Sequence, residues 1–313
     1  MEQRGLPHTP EGPRADWFGE VARTMMPAAA RGLRAAGVYR RGVENALAVR
    51  HTAVTLGYAD LPAVFNGYRI LHLSDLQLDA LPGLADGLIA RLDGTVCDLC
   101  VLTGDFQAAP GSVGDDATLG KPLSELVTRI HARDGFLAVL GNHDTCATAD
   151  RLEAVGIRVL VNEFVHIDRN SATLGVVGLD DVGWFFTSGA QRALDTLPRP
   201  RPFTVALVHS PEFAAEAAAA GCRLYLCGHT HGGQICLPGG VPVIKRIRRN
   251  RRFARGRWTY GEMIGYTNAG IGVDALLPVR FNCPPEILTV ELRRGATGLA
   301  PATAGGPTPG PPT

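Results

Sequence analysis

The stretch Leu224-Tyr225-Leu226-Cys227-Gly228-His229-Thr230-His231-Gly232-Gly233-Gln234 decides how the rest of this 313-residue chain is read. Four apolar residues in a row suit a strand buried on both faces. Two histidines, one residue apart, follow at once, and glycines flank them. Glycine permits a sharp exit from strand to loop and leaves room for a ligand beside the backbone. Imidazoles delivered to the end of a buried strand are candidates for metal binding or acid–base work.

The same arrangement recurs upstream. Arg69 to Leu73 runs into Ser74-Asp75, and Leu99 to Leu102 into Thr103-Gly104-Asp105. Phe136 to Leu140 runs into Gly141-Asn142-His143-Asp144, and Phe203 to Val208 into His209. Helical stretches separate several of these runs. They are Leu84 to Leu92, Leu123 to Arg133, and the alanine-rich Pro211 to Ala220, closed by Gly221. Strands alternating with helices specify an α/β layered fold, in which ligands gather outside the carboxyl ends of the strands. Phe164 to Asp168 and Ala172 to Leu179 read as hairpin strands, so the sheet is expected to be mixed.

One Asp or His in a loop is unremarkable. Five strands delivering such residues to one edge are not. Carboxylate and amide oxygens mixed with imidazole nitrogens suit divalent ions such as Mn, Fe(II) or Zn. No cysteine enters these clusters, which argues against a structural zinc site. Cys97 and Cys100 have Cys-x-x-Cys spacing but read as core residues of a buried strand.

The order Asp75-Leu76-Gln77, Gly104-Asp105, Gly141-Asn142-His143-Asp144, His209 and Gly228 to Gln234 resembles the calcineurin-like metallophosphoesterases, over about residues 45 to 292. The extended Gly-His-Thr-His-Gly-Gly-Gln motif, with Arg280-Phe281-Asn282-Cys283-Pro284-Pro285-Glu286, is similar to the YkuE-like branch, itself similar to hydrolases of UDP-diacylglucosamine. The resemblance implies a four-layer αββα sandwich holding two metal ions (Mn, Fe or Zn). It implies Asp75 and His231 on the first ion, Asp105 shared, and Asn142, His209 and His229 on the second. His143 would sit beside the scissile phosphate, with Asp144 orienting its ring. The family's first motif is usually Asp-x-His. Here Gln77 replaces that His and would offer one amide oxygen as a weaker ligand.

Paired cations that share a water lower its pKa, so that hydroxide attacks phosphorus in line. The expected function is therefore two-metal hydrolysis of a phosphodiester or pyrophosphate bond. The alternatives are a soluble nucleotide or general phosphodiesterase, and a degenerate scaffold that binds a partner. A scaffold would be expected to lose several ligands, whereas this chain departs at Gln77 alone.

The formal net charge is +1, which gives no whole-chain pull toward nucleic acid. Charge is nevertheless concentrated. Residues 244–258 hold eight Lys and Arg in fifteen positions, flanked by Phe253, Trp258 and Tyr260. Such a segment suits phosphate groups or an anionic membrane surface, and the aromatics suit the interface. Without a repeated aromatic platform, nucleic acid is the less favoured partner. These features favour a phosphate-ester substrate that is lipid-linked.

Residues 1–44 read as an N-terminal extension, disordered over 1–16 and carrying a basic amphipathic helix from Trp17 to about Arg41. Residues 45–293 form the catalytic domain, and 294–313 a low-complexity tail. No apolar run approaches the roughly 18 residues needed to span a bilayer. The start lacks the layout of a signal peptide. The expected location is cytoplasmic, peripheral on the inner membrane face.

Overall fold

The computed structural model describes residues 17–109, 116–182, 187–245 and 247–295. The extensions expected to be disordered lie outside these residues, except for Arg294, which ends the last strand, and Gly295 after it.

Two six-stranded sheets dominate. The first has the order β1 (Arg50–Tyr58), β16 (Glu286–Arg294), β2 (Tyr68–Leu73), β4 (Leu99–Thr103), β6 (Phe136–Val139) and β7 (Ile157–Val159). The second has the order β14 (Gly256–Tyr260), β15 (Met263–Thr267), β11 (Leu224–Cys227), β10 (Phe203–Leu207), β9 (Ala172–Gly178) and β8 (Glu163–Arg169). Both are mixed, because β16 runs antiparallel to β2, and the β8–β9 and β14–β15 pairs are antiparallel. Two short ladders pair β3 (Thr95–Cys97) with β5 (Ile130–Ala132), and β12 (Cys236–Leu237) with β13 (Val241–Pro242).

The period-2 alternation of strand side chains sorts each run between two cores. In β2, Tyr68 and Ile70 face the second sheet, while Leu71 and Leu73 face a helical layer. That layer consists of α3 (Leu84–Leu92), α4 (Lys121–Arg129) and α5 (Cys146–Ala154). In β11, Leu224 and Leu226 join the inter-sheet core. Tyr225 and Cys227 instead pack under α6 (Thr187–Asp195) and α7 (Ala214–Ala219). The strands are buried on both faces, which is why they read as unbroken apolar runs. The result is the four-layer αββα sandwich.

The N-terminal helix is two helices, α1 (Trp17–Ala35) and α2 (Tyr39–Leu47), broken at Gly37. Met26 and Ala30 of α1 are buried with Leu277 and Val279. These positions of the helix pack on the domain. Among the described residues no helix is long and apolar enough to cross a membrane. Phe253 and Trp258, expected at a membrane interface, are instead stacked at 4.2 Å and buried in the α6–α7 core. The Trp258 indole N–H donates to Thr267 Oγ1 at 2.9 Å, which satisfies its one polar group there. Cys97 and Cys100 are buried thiols, and burial pushes the Cys97 pKa up to about 11.

Two fully buried polar side chains tie the framework under the strand ends. Arg280 donates from Nη1 to the carbonyls of Ala269 (2.9 Å), His231 (3.3 Å) and Cys283 (3.4 Å). Its Nη2 donates to those of Gly270 (3.1 Å) and Gly272 (2.5 Å). One planar fork thus joins three loops. His72, on β2, places Nε2 2.9 Å from Thr103 Oγ1 on β4.

A compact ammonium cannot span the acceptors that the guanidinium joins. Arg280→Lys is therefore expected to cost about 3 kcal/mol or more in urea unfolding. An unchanged midpoint would refute the clamp. Burial pulls the His72 pKa down from 6.5 to about 3. Across that window the unfolded chain binds a proton here and the folded chain does not. Stability at this position is complete above the upper value and falls with pH by about 1.4 kcal/mol per unit. In metal-free protein, the stability difference between the unaltered chain and His72→Gln should shift by that slope between pH 6 and 4. A constant difference would show that His72 titrates normally.

Candidate active site

The strand-ending residues converge. Asp75 follows β2, Asp105 follows β4, Asn142 and His143 follow β6, His209 follows β10, and His229 and His231 follow β11. Two sets of donor atoms, each mutually within 4.8 Å, form from them: Asp105, His209 and His229, and Asp75, Asp105 and His231. Asp105 belongs to both.

Delivering these side chains strains the backbone. Asp75 (φ 47), Asp105 (φ 56), His229 (φ 69) and His231 (φ 50) all occupy the left-handed region, as does Gln77 (φ 39). Non-glycine residues avoid that region, at a cost of order 1–3 kcal/mol each, and collect there at functional sites. Close approach accounts for Gly228, where any Cβ would overlap Ser74 Oγ and Asp75 Oδ2.

The surrounding polar groups fix each ligand atom. His209 Nδ1 lies 2.7 Å from the Thr103 carbonyl, which can only accept. The ring therefore donates there and turns Nε2 inward. Around that Nε2 stand His229 Nδ1 at 3.1 Å, Asn142 Oδ1 at 3.2 Å and Asp105 Oδ2 at 3.4 Å. Four lone-pair atoms at such separations are reconciled by a cation. Asp75 Oδ2 accepts from Ser74 Oγ at 2.7 Å, and both its oxygens accept from the His229 N–H. His231 Nε2 lies 3.6 Å from Asp75 Oδ1. Thr103 Oγ1 donates to Ser74 Oγ at 2.7 Å, so a hydrogen-bonded chain runs from His72 to Asp75.

The charges also call for cations. Burial pushes the Asp75 carboxyl up to about 6, opposed by His209 and assisted by the Asp105 charge. Burial would raise Asp105 too, but the His143 and His209 imidazoles outweigh it and hold Asp105 well below the usual carboxylate range. Burial would lower the His209 pKa, yet Asp105 and Asp75 drive it well above 6.5. Positive charge is favoured at the centre of the cluster, and a divalent ion would supply it there in place of a proton.

His143 points Nε2 at the cluster, 3.8 Å from Asp105 Oδ2. Its Nδ1 lies 3.1 Å from the Gln107 carbonyl. The orienting role expected of Asp144 therefore falls to Gln107. Asp144 turns beneath the loops, where three backbone N–H groups otherwise lack an acceptor. Its Oδ2 accepts from Asp105 and Gly141 at 2.8 Å each, and its Oδ1 from Phe106 at 2.9 Å. Burial, then the Asp105 charge, pushes the Asp144 carboxyl up to about 7. Gln77 is buried against the cluster with Nε2 3.5 Å from His231 Nε2. Its Oε1 has no hydrogen-bond partner among the described residues.

Sequence reasoning gave no role to Ser74, Thr103, Gln107 or His72. The first three lie within two positions of a ligand candidate, which was the available signal. His72 had none, since its partner comes from another strand.

The family model of the calcineurin-like phosphoesterases matches residues 68–233. The metallophosphoesterase YkuE of Bacillus subtilis is 30% identical over 255 residues, 78% of this chain and 86% of that protein. The phosphodiesterase YaeI of Escherichia coli is 28% identical over 236 residues, 72% of this chain and 82% of its own. The metallophosphoesterase YkoQ of Bacillus subtilis is 26% identical over 230 residues, 70% and 81% of the two chains. Every strand-end cluster lies inside the matched segment, and the chain belongs to the calcineurin-like phosphoesterase family as a metal-dependent phosphoesterase.

Proposed function

We propose that this protein hydrolyses a phosphodiester or pyrophosphate bond using two divalent cations. Asp75 and His231 would hold one, Asn142, His209 and His229 would hold the other, and Asp105 would serve both. The carrying observation is that the two donor sets share Asp105. When bound, the ions supply an activated water at neutral pH and stabilise charge developing on the phosphoryl oxygens.

The chain's own residues do the rest. Thr103 and Ser74 hold His209 and Asp75 so that their free donor atoms face inward. The Gln107 carbonyl holds His143 at Nδ1 and leaves Nε2 toward the reacting group. The water would give up one proton to solvent and bond to phosphorus as hydroxide while the P–O bond to the leaving group breaks, and protonated His143 would pass the Nε2 proton to the leaving oxygen. Gln77 would offer its amide oxygen to the first cation, with the amide turned over from the orientation that sets Nε2 3.5 Å from His231 Nε2. The substrate class we favour is a membrane-associated lipid or nucleotide-lipid, supported by the basic segment 244–258, part of which lines an open cavity. The likeness to the phosphodiesterase YaeI favours a second reading, a general phosphodiesterase. Hydrolysis of UDP-diacylglucosamine against that of a cyclic nucleotide separates the two.

Chelation should abolish hydrolysis of bis-para-nitrophenyl phosphate, and Mn should restore it. Asp105→Asn should lose bound metal and turnover together. His143→Ala should keep both ions while kcat falls about 10²-fold or more. Metal analysis decides between these roles, and stoichiometric metal loss from His143→Ala would remove His143 from its assigned place. Gln77→His should tighten the first ion and shift preference toward Zn. Identical calorimetric titrations of the two metal-free proteins would show that position 77 does not reach the ion.

A further inference from the structure

The fold divides the basic segment in two. The Arg248 and Arg249 N–H groups donate to Glu212 Oε1, at 2.8 Å each, and Arg249 Nη1 lies 3.4 Å from Glu216 Oε1. The backbone of this stretch and the Arg249 side chain are thus tied to carboxylates beside α7. Lys245, Arg252 and Arg255 instead join Arg50 of β1 around an open cavity of about 790 Å³. Among the described residues no acidic side chain lines it, and none of the four cations has an ion-pair partner. Arg255 Nη1 reaches the Asn282 carbonyl at 3.4 Å, and the Arg252 guanidinium lies 4.8 Å over the Phe253 ring. Four cations around one cavity repel one another unless an anion enters, and arginine forks match phosphate oxygens.

One wall is apolar. The β12–β13 hairpin contributes Gly239, Gly240, Val241 and Pro242 to the lining. Leu237 and Val241 are cross-strand partners, 56% and 55% exposed, and Val243 and Ile244 follow at 58% and 45%. Large apolar side chains clustered beside cations in this way mark a surface that another apolar phase covers. The aromatics of the segment are buried, so these four take the place expected of Phe253 and Trp258. The cavity also abuts the active site. A Cβ on Gly232, the residue after His231, would meet Arg255 Cδ at 3.3 Å.

We propose that this cavity docks the phosphate headgroup of an anionic bilayer lipid, while Leu237, Val241, Val243 and Ile244 enter the adjoining interface. The proposal deepens, and rests on, the reading that the substrate is lipid-borne. A soluble phosphate compound would satisfy the four cations but would leave the apolar wall uncovered. A bilayer satisfies both.

Sedimentation with vesicles tests this, using phosphatidylglycerol mixed with phosphatidylcholine against phosphatidylcholine alone. The unaltered protein should bind only the anionic vesicles. Lys245→Ser/Arg252→Ser should weaken partitioning about thirtyfold, from roughly fivefold per basic residue near the surface. Val241→Ser/Val243→Ser should remove the binding that survives high salt. A charge-matched control away from the cavity, Arg91→Ser/Arg133→Ser, should bind as the unaltered protein does, and melting temperatures verify that each variant is folded. Equal sedimentation of Lys245→Ser/Arg252→Ser and the unaltered protein overturns the proposal. So does release from vesicles by millimolar glycerol phosphate, which would mark a soluble-anion site. So does retention by a single-stranded oligonucleotide where vesicles fail. Hydrolysis of the soluble diester by the unaltered protein is measured alongside. If it proceeds with Mn while vesicles do not bind, the docking site fails and the phosphoesterase chemistry stands. If vesicles bind but a vesicle-borne phosphodiester is not cleaved, the lipid-substrate reading fails and the docking site stands.

Discussion

The buried carboxylate of Asp105 is the constraint on which the site turns. It is 2% exposed, and it belongs to both donor sets. A charge in that position requires compensation from every side, and the structure supplies it. Oδ1 accepts the His143 N–H at 2.9 Å, while Oδ2 faces the imidazoles of His143 and His209. The Asp105 N–H is in turn held by Asp144. Removing any one of these leaves a buried charge partly uncompensated, which is the costly case. The surrounding loops are therefore tied to one another through the acid they surround.

Two kinds of rigidity meet here. The strands are locked by apolar cores on both faces, so their carboxyl ends are fixed points. The loops that leave them are held in left-handed backbone at Asp75, Asp105, His229 and His231, a conformation that costs energy for residues other than glycine. The strain persists because carbonyl acceptors, the Asp144 carboxylate and the Arg280 fork each hold a neighbouring loop. Core packing is in this sense what makes the ligand geometry affordable.

The basic segment shows how charge written contiguously in a sequence becomes two features in space. The Arg248 and Arg249 backbone is held by Glu212 and the Arg249 side chain pairs with Glu216, while Lys245, Arg252 and Arg255 join Arg50, about two hundred positions earlier in the chain, around a cavity. The aromatic side chains between them go inward, because β14 alternates and Trp258 falls on its core-facing side. A surface reading based on composition alone assigns them to the wrong phase.

The sequence by itself determined the layered α/β fold, since doubly buried strands must be apolar throughout and their ends must turn on glycine and polar residues. It also determined the ligand candidates, because Asp75, Asp105, Asn142, His143, His209, His229 and His231 stand at those ends in a recognisable order. Tertiary structure alone decided what orients them. His72, Thr103 and Ser74 form their chain across two strands, and Gln107 replaces Asp144 as the partner of His143. Such roles are invisible in one dimension because a hydrogen bond depends on a few tenths of an ångström between atoms from separate strands. An apolar run, by contrast, announces its burial through composition, since the hydrophobic effect scales with area and needs no particular partner.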